Sequence, residues 1–311
     1  MSLLEKISNG LMLSKADAKN YISTIPRRYK VYTIKKRNSE ETRLIAHPSK
    51  QVKSLQRAML TYFKDKLPVH SSAYAYISGK SIKENAERHV NNSYILKMDF
   101  RHFFLSIEPL HFINVIYNHG FELNEEDKFV IWNLFFWKRR SNSPLRLSVG
   151  APSSPFISNA IMYFFDEAIS ETCAKMNVTY TRYADDLTFS TNNEDILFNI
   201  PRMVKGILKA NGLSKIKINE AKTVYSSKKF NRHVTGVTLS NDGCISLGRE
   251  RKRLLSSKIH HFSQGRLSDV EVLKLKGELG FAKFIEPLFI ERMSIKYGLD
   301  IINHIQKFNP S

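Results

Sequence analysis

The chain has 311 residues, 42% of them hydrophobic, and carries 48 Lys and Arg against 29 Asp and Glu, a formal net charge of +19. That length excludes a minimal fold and allows one large core or about two to three subdomains. The charge points to a polyanionic partner, because neutralising phosphates releases counterions.

Cys173 and Cys244 exclude a disulfide framework and lack zinc-ligand spacing, so reduced core thiols in a cytoplasmic protein are expected. The opening MSLLEKISNGLMLSK lacks the apolar core of a signal peptide. The longest apolar stretches, such as FVIWNLFFW at 129–137, are too short to span a bilayer, so no membrane partner is expected.

In chain order, residues 1–20 read as a short helix ahead of Pro26. YKVYTIKKRNSEETRLIAHP, 29–48, alternates β-formers about an Asn38-Ser39 turn and predicts a hairpin. Val52, Leu55, Ala58, Met59 and Tyr62 have helical spacing over 51–63, and a second helix follows Ser81. YILKMDF, 94–100, is an apolar strand ending in an aspartate. Residues 125–137 predict a helix running into a basic loop. GAPSSP, 150–155, is a rigid turn before a long helix over about 156–176. YTRYADDLTFS, 180–190, reads as strand, turn, strand. A helix over 201–210 stops at Asn211-Gly212. Strands are predicted at 215–225 and 233–239, followed by an Asn241-Asp242-Gly243 turn, and 250–311 is mostly helical and basic. Strands and helices alternate without regular βαβ spacing, which fits an α+β class.

The positive charges fall in three groups: Arg27, Arg28, Lys30, Lys35, Lys36 and Arg37; Lys138, Arg139 and Arg140; and Arg249, Arg251, Lys252 and Arg253. Against them stands an acidic constellation. Asp185 and Asp186 sit at the tip of the predicted hairpin, and Asp99 ends a separate strand. An Asp-Asp pair alone is an ordinary turn feature. Strand ends on one sheet edge, however, can gather distant carboxylates, whose repulsion a divalent cation relieves. Mg²⁺ suits hard oxygen ligands shared with substrate phosphates, and two such ions serve phosphoryl transfer.

YADD after a strand, with DFRHFF upstream, resembles the palm of reverse transcriptases. The likeness runs over roughly 27–240 in the family's order: Arg43 with the following PSK, DFRHFF at 99–104, GAPSSP, YADD, and INEAKT at 218–223. NAERH at 85–89 and VTG at 234–236 fit the two signatures of bacterial retron reverse transcriptases. The resemblance implies a right-hand polymerase: fingers and N-terminal region over 1–98 with part of the palm, a palm over 99–240 whose antiparallel sheet bears the YADD hairpin, and a helical RNA-binding thumb over 241–311.

It also implies roles. Asp99, Asp185 and Asp186 would hold two Mg²⁺ ions, with Mn²⁺ as a substitute, and the Phe100 backbone would lie near the incoming triphosphate. Phe104 would be the steric gate against a ribose 2′-OH, though plain core is the alternative. Arg43 would reach the triphosphate, and Lys222 would protonate or bind the pyrophosphate. Val149 stands where many relatives carry Gln, so any nucleotide contact there is by packing or backbone. His102 replaces a common acidic residue and is expected to be structural. Asn85 and His89 are implicated in gripping the structured RNA, Val234, Thr235 and Gly236 in approaching the primer or branched RNA, and Arg249, Arg251, Lys252 and Arg253 in phosphate contacts.

The implied reaction is reverse transcription of part of a cognate noncoding RNA, primed from a guanosine 2′-OH, to give branched msDNA from dNTPs. Antiphage defence with an effector protein encoded nearby is implied too. Template trimming would fall to host RNase H, since no RNase H domain is expected in this length. Two alternatives stand: another compact reverse transcriptase of the intron or abortive-infection kind, and a non-catalytic RNA-binding scaffold restraining a toxin.

Overall fold

The computed structural model describes residues 2–35 and 40–310. The Asn38-Ser39 turn of the predicted hairpin, and Lys36 and Arg37 of the first basic group, lie outside the described residues. The single N-terminal helix expected over 1–20 is two helices, α1 (Leu3–Leu11) and α2 (Lys15–Thr24). Met12 adopts a left-handed backbone, φ 54°, and Ser14 then caps α2 by accepting from the Asp17 amide. β1 (Tyr29–Lys35) and β2 (Thr42–Pro48) form the expected antiparallel ribbon, with Tyr29 opposite Pro48 and Ile34 opposite Arg43. Ser49 caps α3 (Lys50–Lys64), which buries Val52 and Met59 of the predicted face together with Leu60 and Phe63, while Leu55 and Tyr62 are half-buried and Ala58 is exposed. α4 is short (Ile82–Glu87).

The architecture turns on β3 (Tyr94–Arg101). After it come α5 (Phe103–Ser106), α6 (Pro109–Asn118) and α7 (Glu125–Phe135). The predicted helix over 156–176 is two pieces, α8 (Ser154–Ile161) and α9 (Tyr163–Lys175), interrupted at Met162. The YADD hairpin is β4 (Thr179–Tyr183) and β5 (Asp186–Thr191). α10 (Ile200–Ala210) leads to β6 (Lys217–Ile218) and β7 (Val224–Ser227). The single strand expected over 215–225 is therefore broken, because Glu220–Lys222 form a 3-10 turn. β3 lies in the middle of this antiparallel sheet, with β5 and β4 on one side and β6 and β7 on the other.

Strand alternation gives this sheet two unlike faces. Leu96, Met98, Phe100, Leu187, Phe189 and Tyr180 point into the larger core, which also takes in α1–α3 and α6–α10. Lys97 and Asp99, with Thr188 and Asp186 directly across on β5, share the opposite face. That face is polar and lines a cleft.

The strand expected over 233–239 is a tight hairpin, β8 (Arg232–Val234) and β9 (Val237–Leu239). Thr235 (φ 47°) and Gly236 (φ 81°) are its two central residues, the double positive φ of a type I′ turn. An added Cβ on Gly236 would meet nothing within 4 Å, so the turn's backbone, not a close approach, calls for glycine. β10 (Ile245–Ser246) pairs with β9 across the expected Asn241-Asp242-Gly243 turn. Four helices follow: α11 (Arg249–Ser263), α12 (Asp269–Ile285), α13 (Pro287–Tyr297) and α14 (Leu299–Lys307). They build a second core that also takes in Ala86, Ile95, Val234 and Val237. Among the described residues, no helix is long and apolar enough to cross a membrane.

Candidate active site

Register brings the acids together. Asp99 lies directly opposite Asp186, and the Phe100 amide donates to the Asp185 carbonyl at 3.0 Å. The Phe100 N–H is therefore committed to shaping the turn and is not free for a triphosphate. Its ring is buried and stacks on Phe103. Ala184 and Asp185 are the two turn residues between the paired Tyr183 and Asp186, and Ala184 carries φ 59°. That conformation is disfavoured for a residue with a Cβ, so the surroundings must enforce it.

They do so through an ion pair the sequence reading missed. Arg182 and Asp166 are both 0% exposed. Asp166 accepts from Arg182 Nε at 2.9 and 3.1 Å, from Nη2 at 2.6 Å, and from the Tyr180 hydroxyl at 2.8 Å. The remaining Arg182 nitrogen, Nη1, donates to Asn159 Oδ1 and to the Ala184 carbonyl, both at 3.0 Å. A planar guanidinium can thus fix the strained turn from behind while its charge is matched. An arginine at a core-facing strand position was the available signal.

Asp99 is buried, and its carboxylate takes a bond from Lys222 Nζ at 2.9 Å and one from Asn219 Nδ2 at 3.2 Å. The 3-10 turn that breaks β6 from β7 is what delivers Lys222. Asp99 in turn raises the Lys222 pKa, so the ammonium holds its proton. One edge of Asp186 is open to water, yet the crowding protein, then Asp185 and Asp99, push its pKa up to about 6. Asp185 is raised too, chiefly by burial.

Among the described residues, no three Asp, Glu, His or Cys side chains form a cage around one point. The three carboxylates do not converge on one point in this structure, and Asp99 is bonded to Lys222 and Asn219. Mg²⁺ commonly takes one or two carboxylates and completes its shell with water and substrate phosphates. Adjacent carboxylates whose pKa values are raised by burial and then by one another's charge fit such an ion.

Two cavities bear on the site, the second of them lined by Asp99 and Asp186 themselves. One, about 370 Å³, is lined by Phe104, Val149, Tyr76, His47, Lys53 and Arg57 among others. Phe104 is half-buried there. The Val149 carbonyl accepts from the Ala46 amide at 3.0 Å, leaving the side chain for packing. Gly150, at φ 124°, lets the turn sit against β2, since a Cβ would come within 3.2 Å of the Ala46 carbonyl oxygen. Arg43 is exposed on β2, and its charge acts on Asp185. Tyr76, left-handed at φ 64°, was not singled out from sequence. The second cavity, about 590 Å³, is lined by Lys97, Asp99, Asp186, Lys222, Thr235 and Gly236 among others.

Asn85 and the hairpin turn meet beside that second cavity. Asn85 Nδ2 donates to Thr235 Oγ1 at 3.4 Å, and Thr235 Oγ1 donates to the Ile82 carbonyl at 3.3 Å. Asn85 is 1% exposed, and its Oδ1 lacks a partner among the described residues. His89 departs from expectation. It is 0% exposed, and its ring nitrogens lie 2.7 Å from Ser190 Oγ and 2.7 Å from Thr181 Oγ1. Burial drops its pKa to about 3, so it is neutral, and with both nitrogens engaged it braces the YADD strands and cannot grip RNA. Val234 is likewise buried in the second core.

The basic group on α11 divides. Arg249 and Arg253 are exposed and without ionic partners among the described residues, Arg251 lies over the Phe281 ring, and Lys252 pairs with Glu286 at 2.7 Å. Lys252 is thus a link inside the helical region. His102, left-handed at φ 49°, starts α5 through its backbone.

A palm sheet carrying acids at one edge, between a β-ribbon and a helical bundle, defines a right-hand nucleotide polymerase. The family model for reverse transcriptase (RNA-dependent DNA polymerase) matches residues 34–239. Retron Ec83 reverse transcriptase of Escherichia coli is 46% identical over 283 residues, 90% of each chain. Retron Ec86 reverse transcriptase of Escherichia coli is 29% identical, covering 97% of this chain and 93% of that one. This chain belongs to the bacterial retron reverse transcriptases and is an RNA-directed DNA polymerase. Among solved structures, telomerase from Candida albicans in complex with a TWJ fragment of telomeric RNA superposes with a TM-score of 0.50 at 13% identity, spanning 92% of this chain and 62% of that one. That likeness bears on the fold alone.

Proposed function

We propose that the protein reverse transcribes part of a cognate structured RNA from a guanosine 2′-OH, giving branched msDNA. The observation that carries this is the junction of Asn85 with the Thr235-Gly236 turn, which walls the cavity beside Asp99 and Asp186. The two signatures are 150 positions apart, yet buried Asn85 backs the Thr235-Gly236 turn, and that turn lines the cavity where a folded RNA would meet the attacking hydroxyl. Arg43, Phe104 and Val149 hold the incoming dNTP on the other side. Phe104 excludes the ribose 2′-OH by packing.

Asp99 and Asp185, with Asp186 beside them, would hold Mg²⁺, which would supply activation of the attacking hydroxyl and charge stabilisation at the phosphates. Lys222 holds Asp99 in place and keeps a proton near the leaving group. Arg249 and Arg253 contact RNA phosphates. The likeness to retron relatives supports a nearby-encoded effector, antiphage defence and host RNase H trimming as the setting.

The test is biochemical. Purified protein is incubated with RNA transcribed from the adjoining DNA, Mg²⁺ and labelled dNTPs. Label joined covalently to that RNA and released by a 2′–5′ debranching enzyme is expected. Label that appears only when a separate primer is supplied would overturn 2′-OH priming.

A further inference from the structure

Lys97 sits two residues before Asp99 on β3, on the same face, with Thr188 directly opposite it. Its stem is half-buried, and it lines the larger of the two cavities beside Asp186, Thr235 and Gly236. The other lysine lining that cavity, Lys222, is committed to Asp99. Among the described residues the Lys97 ammonium makes no hydrogen bond and no ion pair. Asp186 and His233 of β8 lie close enough to interact with its charge. A partly desolvated cation without a bonded partner is costly unless an arriving anion compensates it.

We propose that Lys97 anchors the last internucleotide phosphate of the strand being extended, and so positions the attacking hydroxyl over Asp186. The assignment follows from the two sides of the site. Phe104 and Val149 mark the nucleotide's side, as proposed above, so the growing strand is assigned to the other cavity, which shares no lining residue with the first. There its backbone runs between the catalytic acids and the Thr235-Gly236 turn, and Lys97 rises from the sheet along that path. Lys97 is a positioning residue; the bond-making atoms belong to the strand's hydroxyl and the α-phosphate.

The inference rests on that assignment of the nucleotide's side but not on 2′-OH priming, so an ordinary duplex tests it. The probe is a labelled DNA primer annealed to an RNA template. In one version a neutral methylphosphonate replaces the last primer linkage, and in another it replaces an interior linkage. Affinity and the dNTP KM are measured for wild type, Lys97→Met and Lys97→Arg.

For wild type, the terminal methylphosphonate is expected to weaken binding about tenfold, as loss of one charge-assisted hydrogen bond does. Lys97→Met should lose the same factor on the natural duplex and nothing further on the modified one, with the salt slope smaller by about one phosphate contact. Lys97→Arg should restore sensitivity to the terminal linkage, and the dNTP KM should not move. Independent, multiplying losses would overturn the proposal. So would a wild type indifferent to the terminal linkage, a reading that needs no variant to fold. A raised dNTP KM with unchanged duplex affinity would instead place Lys97 on the nucleotide and refute the assignment of sides.

Discussion

Replacing Asp166 by Asn keeps the side chain's volume but leaves the Arg182 guanidinium, fully buried, without its counter-charge. Removing one member of a buried pair costs about 3–5 kcal/mol, because the stranded charge is out of water. A domain is stable by only about 5–15 kcal/mol, so the loss is a large share of the total. Urea unfolding followed by fluorescence and circular dichroism reads it directly, the midpoint falling while the slope holds. The double replacement Asp166→Leu with Arg182→Met removes both charges and should be far less destabilising than the single changes added together. It also removes the Nη1 bond to the Ala184 carbonyl. The double variant should therefore fold yet polymerise slowly, because the turn carrying Asp185 is no longer held. A single-variant cost below about 1 kcal/mol, or a double variant costing the sum, would refute the reasoning.

The buried His89 sets a pH window. Its folded pKa is about 3 against 6.5 unperturbed, so the unfolded chain binds a proton that the native one refuses. Stability from this group is complete above pH 6.5 and declines as pH falls toward 3. Between pH 7.5 and 5.0 the loss is about 2 kcal/mol, and unfolding curves of His89→Gln should show a shallower pH dependence. Phe104→Ala should raise rNTP incorporation relative to dNTP by about tenfold or more in single-nucleotide extension, with dNTP turnover little changed. Arg249→Ala should reduce the salt slope of RNA binding by about one. Lys252→Ala should lower the thermal midpoint instead, since Lys252 pairs with Glu286. Gly236→Val should cost about 1–2 kcal/mol in denaturant unfolding, because a β-branched residue resists φ 81°.

Much of the site was legible because the residues that carry it are adjacent in sequence or fixed by strand register. The strand and hairpin patterns located Asp99 and Asp185-Asp186, and the motif resemblance gave them a role; the structure puts Asp185 in the turn and Asp186 first in β5, directly opposite Asp99 in β3. What escaped was decided by tertiary packing. Nothing local distinguishes His89, which hydrogen-bonds within the fold, from a histidine that reaches RNA; only its burial does. Arg182 immediately precedes the YADD motif, but its partner Asp166 is on a helix 16 positions earlier, and such a pairing leaves no periodic signal. The breaks at Met12, at Met162 and at Glu220–Lys222 each interrupt an apparently continuous pattern, and the last of them delivers Lys222 to Asp99. Thr235-Gly236 read as strand because both flanks are β-formers, whereas two successive positive φ values make it a turn.

The most direct test of the central claim uses cells carrying the gene with several hundred upstream base pairs, wild type against Asp185→Asn. Nucleic acid is treated with RNase, with and without debranching enzyme, and run on a denaturing gel. A short DNA present only in wild type, whose mobility changes on debranching, is the predicted result. Wild-type DNA that ignores the debranching enzyme, or the same DNA from Asp185→Asn, would contradict the account.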